Sequence, residues 1–471
     1  MAVAASQIAS INPATDEVLR TFDAHTREQV EDAIAGAQDA FVAWRARSFA
    51  ERAVPMNRLA ALLRERSDRY ARLMTLEMGK PITEAKAEIE KCALGCEFFA
   101  ENAERFLSPE IVKTTAQKSY VAYEPLGIVL AVMPWNFPFW QVIRFAAPAF
   151  MAGNAAILKH ASNVPQCALA IEEAFRDAGF PDGLLRTLLL AGAQVEPVIA
   201  DERIRAVTLT GSSATGARIA AAAGRALKKA VLELGGSDPF IVLADADVAN
   251  AAAIGVRARN QNTGQSCIAA KRFLVADPIG GEFEKRFVAG VEALRIGDPL
   301  DAKTQIGPLA RADLRDNLER QVKESVQMGA RLLTGGKRWG DRGAFYTPTV
   351  LADVTPDMPV FAEETFGPVA AIIRARDADE AIELANRTEY GLGANLWTRD
   401  TATAERLARR IESGQVFING MVASDPRLPF GGVKHSGFGR ELSAFGIREF
   451  VNIQTVWIGP AQTAQATPKA E

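Results

Sequence analysis

The chain has 471 residues, of which 48% are hydrophobic and 24% are charged, and its net charge at pH 7 is −3. This length excludes a single small hydrophobic core, so we expect two or three domains. The nearly balanced charge excludes a global electrostatic attraction to nucleic acid or to an anionic membrane.

The cysteine and histidine counts limit the chemistry. Four cysteines in so long a chain do not make a disulfide framework, and no cluster of cysteine and histidine predicts a metal site. Because there are only three histidines, we expect any general base to be a carboxylate. Residues 1–10 lack the features of a signal peptide, and no apolar run reaches the roughly 18–20 residues of a membrane span. We therefore expect a cytoplasmic protein.

The first hundred residues predict a helical scaffold. Residues 11–15 predict a turn between extended pieces. Thr26 and Gln29 form a capping box ahead of apolar positions at helical spacing. A second helical tract carries the leucines between residues 59 and 73, and a third spans about 83–106.

Beyond residue 120, short apolar strands alternate with helices, which is typical of a parallel α/β sheet. The predicted strands are 125–132, 155–158, 207–210 and 231–234. Such sheets bind ligands at the carboxyl ends of their strands, where Asn136, Lys159 and Gly211 lie. Glu233 stands inside an otherwise apolar strand, which is costly unless the carboxylate is paired or functional.

A second α/β region begins near Ile241 and includes Cys267. Helical tracts are predicted near 281–294, 312–329, 378–387 and 401–413, followed by a glycine-rich loop over 430–441. Cys267 follows a polar loop and precedes the apolar run 272–275, a position suited to a nucleophile. The alternative is a buried structural cysteine, since free cysteines are commonly buried.

Four motifs in order give the chain a resemblance to a known family. They are Trp-Asn-Phe-Pro at 135–138, Glu-Leu-Gly-Gly at 233–236, Gly-Gln-Ser-Cys at 264–267 and Glu-Thr-Phe-Gly-Pro at 364–368. With these motifs the chain resembles the aldehyde dehydrogenase superfamily from about residue 11 to 459, and within it the short bacterial NADP-dependent succinate-semialdehyde dehydrogenases.

The resemblance implies an α/β fold with three parts and a homodimer or homotetramer. The implied parts are a Rossmann-like dinucleotide-binding domain (1–111 and 128–234), an α/β catalytic domain (235–425) and a small β oligomerisation element (112–127 and 446–459). Residues 460–471 are rich in Ala, Pro, Gln and Thr, a composition that predicts a disordered tail.

The resemblance also implies the catalytic residues. Cys267 would attack the aldehyde carbon, and the Asn136 amide with the Cys267 N–H would hold the oxyanion. After hydride transfer to the nicotinamide, Glu233 would activate the water that hydrolyses the thioester. The alternatives are a plain turn residue for Asn136 and a structural ion pair for Glu233.

The implied cofactor residues are Trp135, Lys159, Ser162, Gly211, Ser212, Leu234, Glu364 and Phe366. Gly211 and Ser212 precede a helix whose N-terminus attracts phosphate. Many NAD-preferring members carry a glutamate three residues after the lysine, where this chain has Ser162. Removing that charge beside Lys159 admits a 2′-phosphate, so we expect NADP to be preferred over NAD. Alternatively, Ser162 is only a loop residue.

The implied substrate residues are Trp140, Arg144, Ser266 and Ser424. Arg144 lies where similar succinate-semialdehyde dehydrogenases carry an arginine, and it can bind a distal carboxylate in two-pronged fashion. The alternative for Arg144 is a salt bridge. The chain departs from the family at Ser237-Asp238, where many members have a lysine, and at Ala269, which excludes a disulfide with Cys267.

Four rival functions remain on these residues. They are a broader short-chain aldehyde dehydrogenase, a CoA-acylating relative, a cofactor-binding structural protein and a cofactor-free thiol hydrolase. The presence of Glu233 disfavours CoA acylation, and the intact Cys267, Glu233 and Asn136 disfavour a structural protein. A thiol hydrolase leaves Lys159 and Glu364 without a role.

Overall fold

The computed structural model describes residues 7–460. Residues 461–471 lie outside the described part, so the disordered tail expected there stays a prediction. The α-helices are Arg27–Arg45, Phe49–Glu65, Ser67–Met78, Ile82–Leu107, Pro138–Met151, Pro165–Asp177, Val195–Ala200, Ser213–Arg225, Val248–Asn260, Asp277–Glu292, Ala312–Gln327, Pro359–Ala362, Ala378–Asn386, Thr401–Ala408 and Ser443–Ile447. Single 3₁₀ turns are Gly192–Gln194, Gln261–Gly264 and Arg448–Phe450.

The first large sheet has six strands, five of them parallel. In spatial order they are Gly437–Phe438, Lys229–Glu233, Ile204–Thr210, Ile128–Met133, Ala155–His160 and Leu185–Thr187. The antiparallel member is the two-residue strand Gly437–Phe438, which comes from the glycine-rich loop and covers the edge beside Glu233. The strand order reverses between Ile128–Met133 and Ile204–Thr210, and such a switch point opens a crevice at the carboxyl ends of the strands.

The second large sheet has seven strands and is parallel except at one edge. In spatial order they are Arg331–Thr334, Thr349–Ala352, Val369–Ala375, Ala270–Ala276, Asp238–Val242, Gly393–Trp397 and Gln415–Ile418. Ile241 and Leu274 pack into one core cluster, whereas Phe240 and Phe273 pack into another. The central strands Asp238–Val242 and Ala270–Ala276 are therefore buried on both faces, which favours apolar residues.

Smaller sheets complete the fold. Gln7–Ile11 and Val18–Asp23 form an antiparallel hairpin, and the pair Tyr390–Gly391 and Val433–Lys434 lies near the glycine-rich loop. An antiparallel sheet of three strands contains Val451–Ile458, Lys118–Pro125 and Glu110–Ile111, with eight residue pairs between its two long strands.

The structure corrects two of the expected elements. The helical tract over 59–73 is two helices that part at Arg66, whose backbone has φ −107° and ψ 17°. The single strand expected over 125–132 is also two elements, because Pro125 ends one strand and Gly127, at φ +137°, turns the chain into Ile128–Met133. The helical tract has no Pro or Gly that would have shown its division, whereas in the strand tract Pro125 and Gly127 are the breakers that mark it. The expected capping box at Thr26 is present.

Candidate active site

Asn136 lies at the switch point of the first sheet, directly after Ile128–Met133. The next helix begins at Pro138, a residue suited to the first helical position. The Asn136 side chain is buried, and its Nδ2 donates to the carbonyl of Gln265 at 3.2 Å. The crevice of the first sheet therefore meets the cysteine loop of the second α/β region here.

The loop before Cys267 has an unusual backbone. Asn262, Thr263 and Gly264 have φ values of +55°, +55° and +72°, in the left-handed region that non-glycine residues rarely adopt. Asn262 holds the loop in this shape by donating from Nδ2 to the carbonyls of Asn136, at 2.8 Å, and Gln265, at 3.0 Å. The strained turn and the predicted oxyanion residue are thus one hydrogen-bonded unit.

Other parts of the chain hold the same loop from outside. Oε2 of Glu84 accepts from the N–H of Asn262 at 2.6 Å. The hydroxyl of Thr263 accepts from the N–H of Gly307 at 3.0 Å, and Oε1 of Gln265 accepts from the N–H of Ala310 at 2.8 Å.

Lys271 anchors the C-terminal side of the loop. Its side chain is fully buried, and Nζ donates to the carbonyls of Ser266 at 2.9 Å, Cys267 at 2.8 Å and Ala269 at 3.4 Å. Oε1 of Glu364 lies 3.5 Å from the same ammonium. Lys271 therefore sets the backbone position of Cys267, the predicted nucleophile.

Cys267 is half-buried, whereas Cys92, Cys96 and Cys167 are fully buried. Burial raises the pKa of the Cys267 thiol to about 12, and the positive charges of Arg144 and Lys271 oppose this rise. The group is a thiol at neutral pH, and attack requires a nearby base or added positive charge.

Glu233 ends the strand Lys229–Glu233 as a buried carboxyl group. Neither of its oxygens has a hydrogen-bond partner among residues 7–460. Burial, and next the Glu441 carboxylate, raise the pKa of Glu233 well above its usual range. The loop over it comes so close that a Cβ at Gly431 would lie 2.8 Å from Oε1. Glu233 is thus a neutral acid that can become a base when its surroundings change.

The charge of Arg144 acts on both Glu233 and Cys267. Its charge lowers the pKa of both Glu233 and Cys267, so both lie around one guanidinium. Nε forms an ion pair with Glu441, and the guanidinium stacks 4.5 Å from the centre of the Phe430 ring. The substrate role expected for Arg144 stays a prediction, and the structure shows a guanidinium that already has a carboxylate partner.

Two of the other expected substrate residues, Trp140 and Ser424, are hydrogen-bonded to each other, and the third, Ser266, adjoins Cys267. Trp140 precedes Arg144 by one helical turn, and its Nε1 donates to Oγ of Ser424 at 3.1 Å. Ser424 also accepts from Lys91 at 2.5 Å. Ser266 is buried beside Cys267, and its carbonyl accepts a hydrogen bond from Nζ of Lys271.

Comparison with known proteins places this arrangement in a family. The model of the aldehyde dehydrogenase family matches residues 2–456. The chain belongs to the aldehyde dehydrogenase family. The family and the α/β fold expected from the four motifs are therefore confirmed, and the chain is an aldehyde dehydrogenase.

Three relatives show how close the match is. The chain is 53% identical to a probable NADP(+) succinate-semialdehyde dehydrogenase of Synechocystis over 451 residues, 96% of this chain and 99% of that one. It is 53% identical to NADP(+) succinate-semialdehyde dehydrogenase 1 of Mycobacterium tuberculosis strain H37Rv over 454 residues, with the same coverage. The crystal structure of succinic semialdehyde dehydrogenase from Streptococcus pyogenes with NADP+ superimposes with a TM-score of 0.94 at 40% identity, covering 96% of this chain and all of that one.

The cofactor residues expected in this aldehyde dehydrogenase lie around the crevice. Oε1 of Glu364 accepts from the N–H of Gly236 at 3.0 Å, and Phe366 packs edge-on against Trp135 with ring centres 5.7 Å apart. Leu234 packs so closely on the helix Ser213–Arg225 that a Cβ at Gly216 would lie 2.5 Å from its Cδ2.

The donor set at the crevice fits a dinucleotide. Ser212 caps the helix that follows Gly211, so further N–H groups of its first turn are free for a phosphate. Lys159 and Ser162 line one cleft of about 840 Å³, and desolvation lowers the pKa of Lys159. Within the described part of the chain Lys159 has no ion pair.

The family departure at Ser237-Asp238 has a structural role. The carbonyl of Ser237 accepts from Nε and Nη2 of Arg272 at 3.0 and 2.8 Å, and Oδ1 of Asp238 accepts from the N–H of Gly393 at 3.0 Å. Burial raises the pKa of Asp238 to about 6. These residues hold the strands beside the cysteine loop together.

Sequence reasoning missed Glu84, Lys91, Lys271 and Glu441. Lys271 carried the same signal as Glu233, a charged residue beside an apolar strand run, and could have been found by it. The other three make contacts that no local pattern shows.

Among the described residues, no helix is long and apolar enough to span a membrane.

Proposed function

We propose that this aldehyde dehydrogenase oxidises succinate semialdehyde to succinate, with NADP as the preferred hydride acceptor and NAD as the second. The observation that carries the proposal is the 53% identity, over 96% of the chain, to relatives described as NADP(+) succinate-semialdehyde dehydrogenases.

The nucleophile is Cys267, which adds to the aldehyde carbon to give a hemithioacetal. The hydrogen-bonded loop and Lys271 support this role because they hold the thiol in one place. Asn136 supplies a side-chain N–H for the developing oxyanion, a donor whose loss typically costs about 3–4 kcal/mol. NADP, when bound, would supply the hydride acceptor, and loss of hydride from the hemithioacetal would leave a thioester on Cys267.

Glu233 takes a proton from the water that hydrolyses the thioester. Its lack of hydrogen-bond partners supports this role, because a carboxyl group with free lone pairs can accept a water proton. Its raised pKa makes it a stronger base once it is ionised.

NADP would be held by the eight residues expected for it, with the 2′-phosphate at Lys159 and Ser162. Their shared cleft and the unpaired ammonium support this placement. Ser162→Glu tests it, because a carboxylate would repel the 2′-phosphate. We expect kcat/KM with NADP to fall at least about tenfold and kcat/KM with NAD to change far less. Equal losses with both cofactors would contradict the placement.

Arg144, Trp140, Ser266 and Ser424 form the proposed substrate wall. Initial rates with succinate semialdehyde and with butyraldehyde, each with NADP and NAD, test it in wild type and Arg144→Ala. We expect a strong preference for the semialdehyde, reduced about 10- to 100-fold in the variant. Arg225→Ala, which removes an exposed arginine paired with Glu196, is the control.

A wild type that does not distinguish the two aldehydes would remove the substrate assignment and leave the family assignment intact. It would favour the second candidate, an aldehyde dehydrogenase of broader specificity. The ion pair between Arg144 and Glu441 is the observation in favour of that candidate. Glu441 already occupies the guanidinium that was expected to bind the carboxylate of the substrate.

The homo-oligomer is proposed on the three-stranded sheet. Ile111, Ile453 and Trp457 are 68%, 63% and 56% exposed there, and exposed apolar patches commonly mark interfaces. Light scattering of wild type and Ile453→Lys tests this, with a smaller mass expected for the variant. The division into domains and the cytoplasmic location stay predictions, and the latter is tested by fractionating cells.

A further inference from the structure

The charges around the substrate wall are nearly all paired. Three cations there each face a carboxylate, and these pairs are Lys80 with Glu88, Arg144 with Glu441, and Arg427 with Asp425. Lys91 lies among them on the helix Ile82–Leu107, and the charges of Arg144, Glu88 and Asp425 act on it. Within residues 7–460 no carboxylate lies within 4.0 Å of the Lys91 ammonium.

Lys91 is held in place by the two residues expected at the substrate. Its Nζ donates to Oγ of Ser424 at 2.5 Å and lies 4.5 Å from the centre of the Trp140 ring. One hydrogen of the ammonium is used by Ser424, which leaves two free to donate. The aromatic face and the long stem fix the direction of the side chain.

The Ser424 hydroxyl has a hydrogen to give. Its oxygen accepts from Lys91 and also from Nε1 of Trp140, so both of its lone pairs are occupied. Among the described residues its O–H donates to no acceptor. A free O–H and two free ammonium hydrogens therefore lie together beside Trp140, and no carboxylate of residues 7–460 is within 4.0 Å of the ammonium. An anionic group with two acceptor oxygens fits such a set.

We propose that Lys91 is a specificity-determining residue that binds the distal carboxylate of the substrate together with the Ser424 hydroxyl. This inference rests on the proposed function, because it names the group that recognises the carboxylate. Arg144, already paired with Glu441, positions the wall, and its charge lowers the pKa of Cys267.

The protonation of Lys91 supports the inference and gives it a pH test. Burial and the Arg144 charge lower the pKa of Lys91 to about 8. The other groups that act on it are Cys92, a buried thiol whose pKa is raised well above its usual value, and the paired Glu88 and Asp425. In the free enzyme the ammonium is therefore lost as the pH rises through about 8. A bound carboxylate favours the charged form and opposes this loss.

The first experiment compares kcat/KM for succinate semialdehyde and butyraldehyde in Lys91→Met. We expect the semialdehyde value to fall about 10- to 100-fold and the butyraldehyde value to stay within about threefold. Lys86→Met is the matched control, since Lys86 is an exposed lysine of the same helix paired with Asp68, and it should alter neither value. Lys91→Arg, which keeps the charge, should restore part of the preference.

The second measurement needs no variant. In wild type, the ratio of the two kcat/KM values should fall at least about threefold between pH 7 and 9.5, because only the semialdehyde requires the ammonium. Effects of Cys267 ionisation act on both substrates and cancel in the ratio. A ratio that stays constant across this range would overturn the inference, even if Lys91→Met fails to fold.

The two proposals fail in different ways. If wild type shows no preference for the semialdehyde, the proposed function fails. If wild type prefers the semialdehyde and Lys91→Met keeps that preference, the function stands and the inference fails. Equal loss of both activities in a folded Lys91→Met would also overturn it, by showing a structural role.

Discussion

The two groups that we propose to react, Cys267 and Glu233, are held in opposite ways. The loop that carries Cys267 is tied at nearly every polar position, by Asn262 within it and by Glu84 and Lys271 from outside. Glu233, across the crevice, makes no hydrogen bond with either carboxyl oxygen among the described residues.

This difference matches the role proposed for each group. A nucleophile gains most from being held at one position, since misplacement weakens attack. A base that must change its protonation state gains from surroundings that do not stabilise one form through fixed hydrogen bonds. The rigid Cys267 loop therefore suits the proposed attack on the aldehyde, and the unpaired Glu233 carboxyl group suits the proposed activation of water.

The largest effect is expected from removing the nucleophile of the rigid side. Cys267→Ser should lose on the order of 10⁶-fold in kcat, because a hydroxyl is a far weaker nucleophile than a thiolate. NADP binding, followed by fluorescence quenching, should be unchanged. Cys96→Ala, at a fully buried cysteine, is the control and should stay active. Turnover by Cys267→Ser at even one hundredth of the wild-type rate would contradict the role of Cys267.

A smaller effect is expected from loosening the loop. Lys271→Met leaves the carbonyls of Ser266 and Cys267 without their charged donor, and we expect kcat/KM to fall about 10- to 100-fold. Because Lys271 also lowers the pKa of Cys267, the pH profile for alkylation by iodoacetamide should move to higher pH in the variant.

Lys323→Met, at an exposed lysine paired with Glu319, is the control for Lys271→Met. An unshifted alkylation profile together with reduced activity would mean that Lys271 supports the fold and not the thiol.

The smallest effect on rate is expected at Glu84. Burial raises its pKa from 4.5 to about 7, so the stability that its protonated form contributes is complete below 4.5 and is lost as the pH rises through 7. The difference between these two pKa values of Glu84 corresponds to about 3 kcal/mol in the free energy of unfolding. Glu84→Gln keeps an acceptor for the Asn262 N–H, so kcat should change less than about threefold.

Thermal unfolding between pH 5 and 8 measures this prediction. The stability of Glu84→Gln relative to wild type should increase with pH across that range. Glu405→Gln, at an exposed glutamate, should show no such trend. A difference between Glu84→Gln and wild type that is constant with pH would show that Glu84 does not titrate there.

Much of this architecture could be predicted from local pattern. The strand Ala155–His160 and the helix Pro165–Asp177 follow from apolar runs and Pro punctuation, and the helix starting after Thr26 follows from its capping box. Cys267 and Glu233 were found because a reactive or charged residue at a strand stands out against its apolar neighbours.

The rest depends on contacts between distant parts of the chain. Lys91 and Ser424 are 333 positions apart, and each is unremarkable in its own segment. The same holds for Glu441, which lies in a glycine-rich loop and meets Arg144 only in the folded chain. Charge pairing of this kind is decided by tertiary packing, which leaves no periodic signal in the sequence.

We propose that Cys267 acts before hydride transfer and Glu233 after it. This order is tested most directly by rapid mixing of Glu233→Gln with succinate semialdehyde and NADP. We expect a burst of about one NADPH per active site at close to the wild-type rate, because attack by Cys267 and hydride loss precede the step that needs the base. The following steady state should be about 10²- to 10⁴-fold slower than wild type, because thioester hydrolysis lacks its base. A variant without a burst, whose first turnover is as slow as its steady state, would contradict this order by placing Glu233 before hydride transfer.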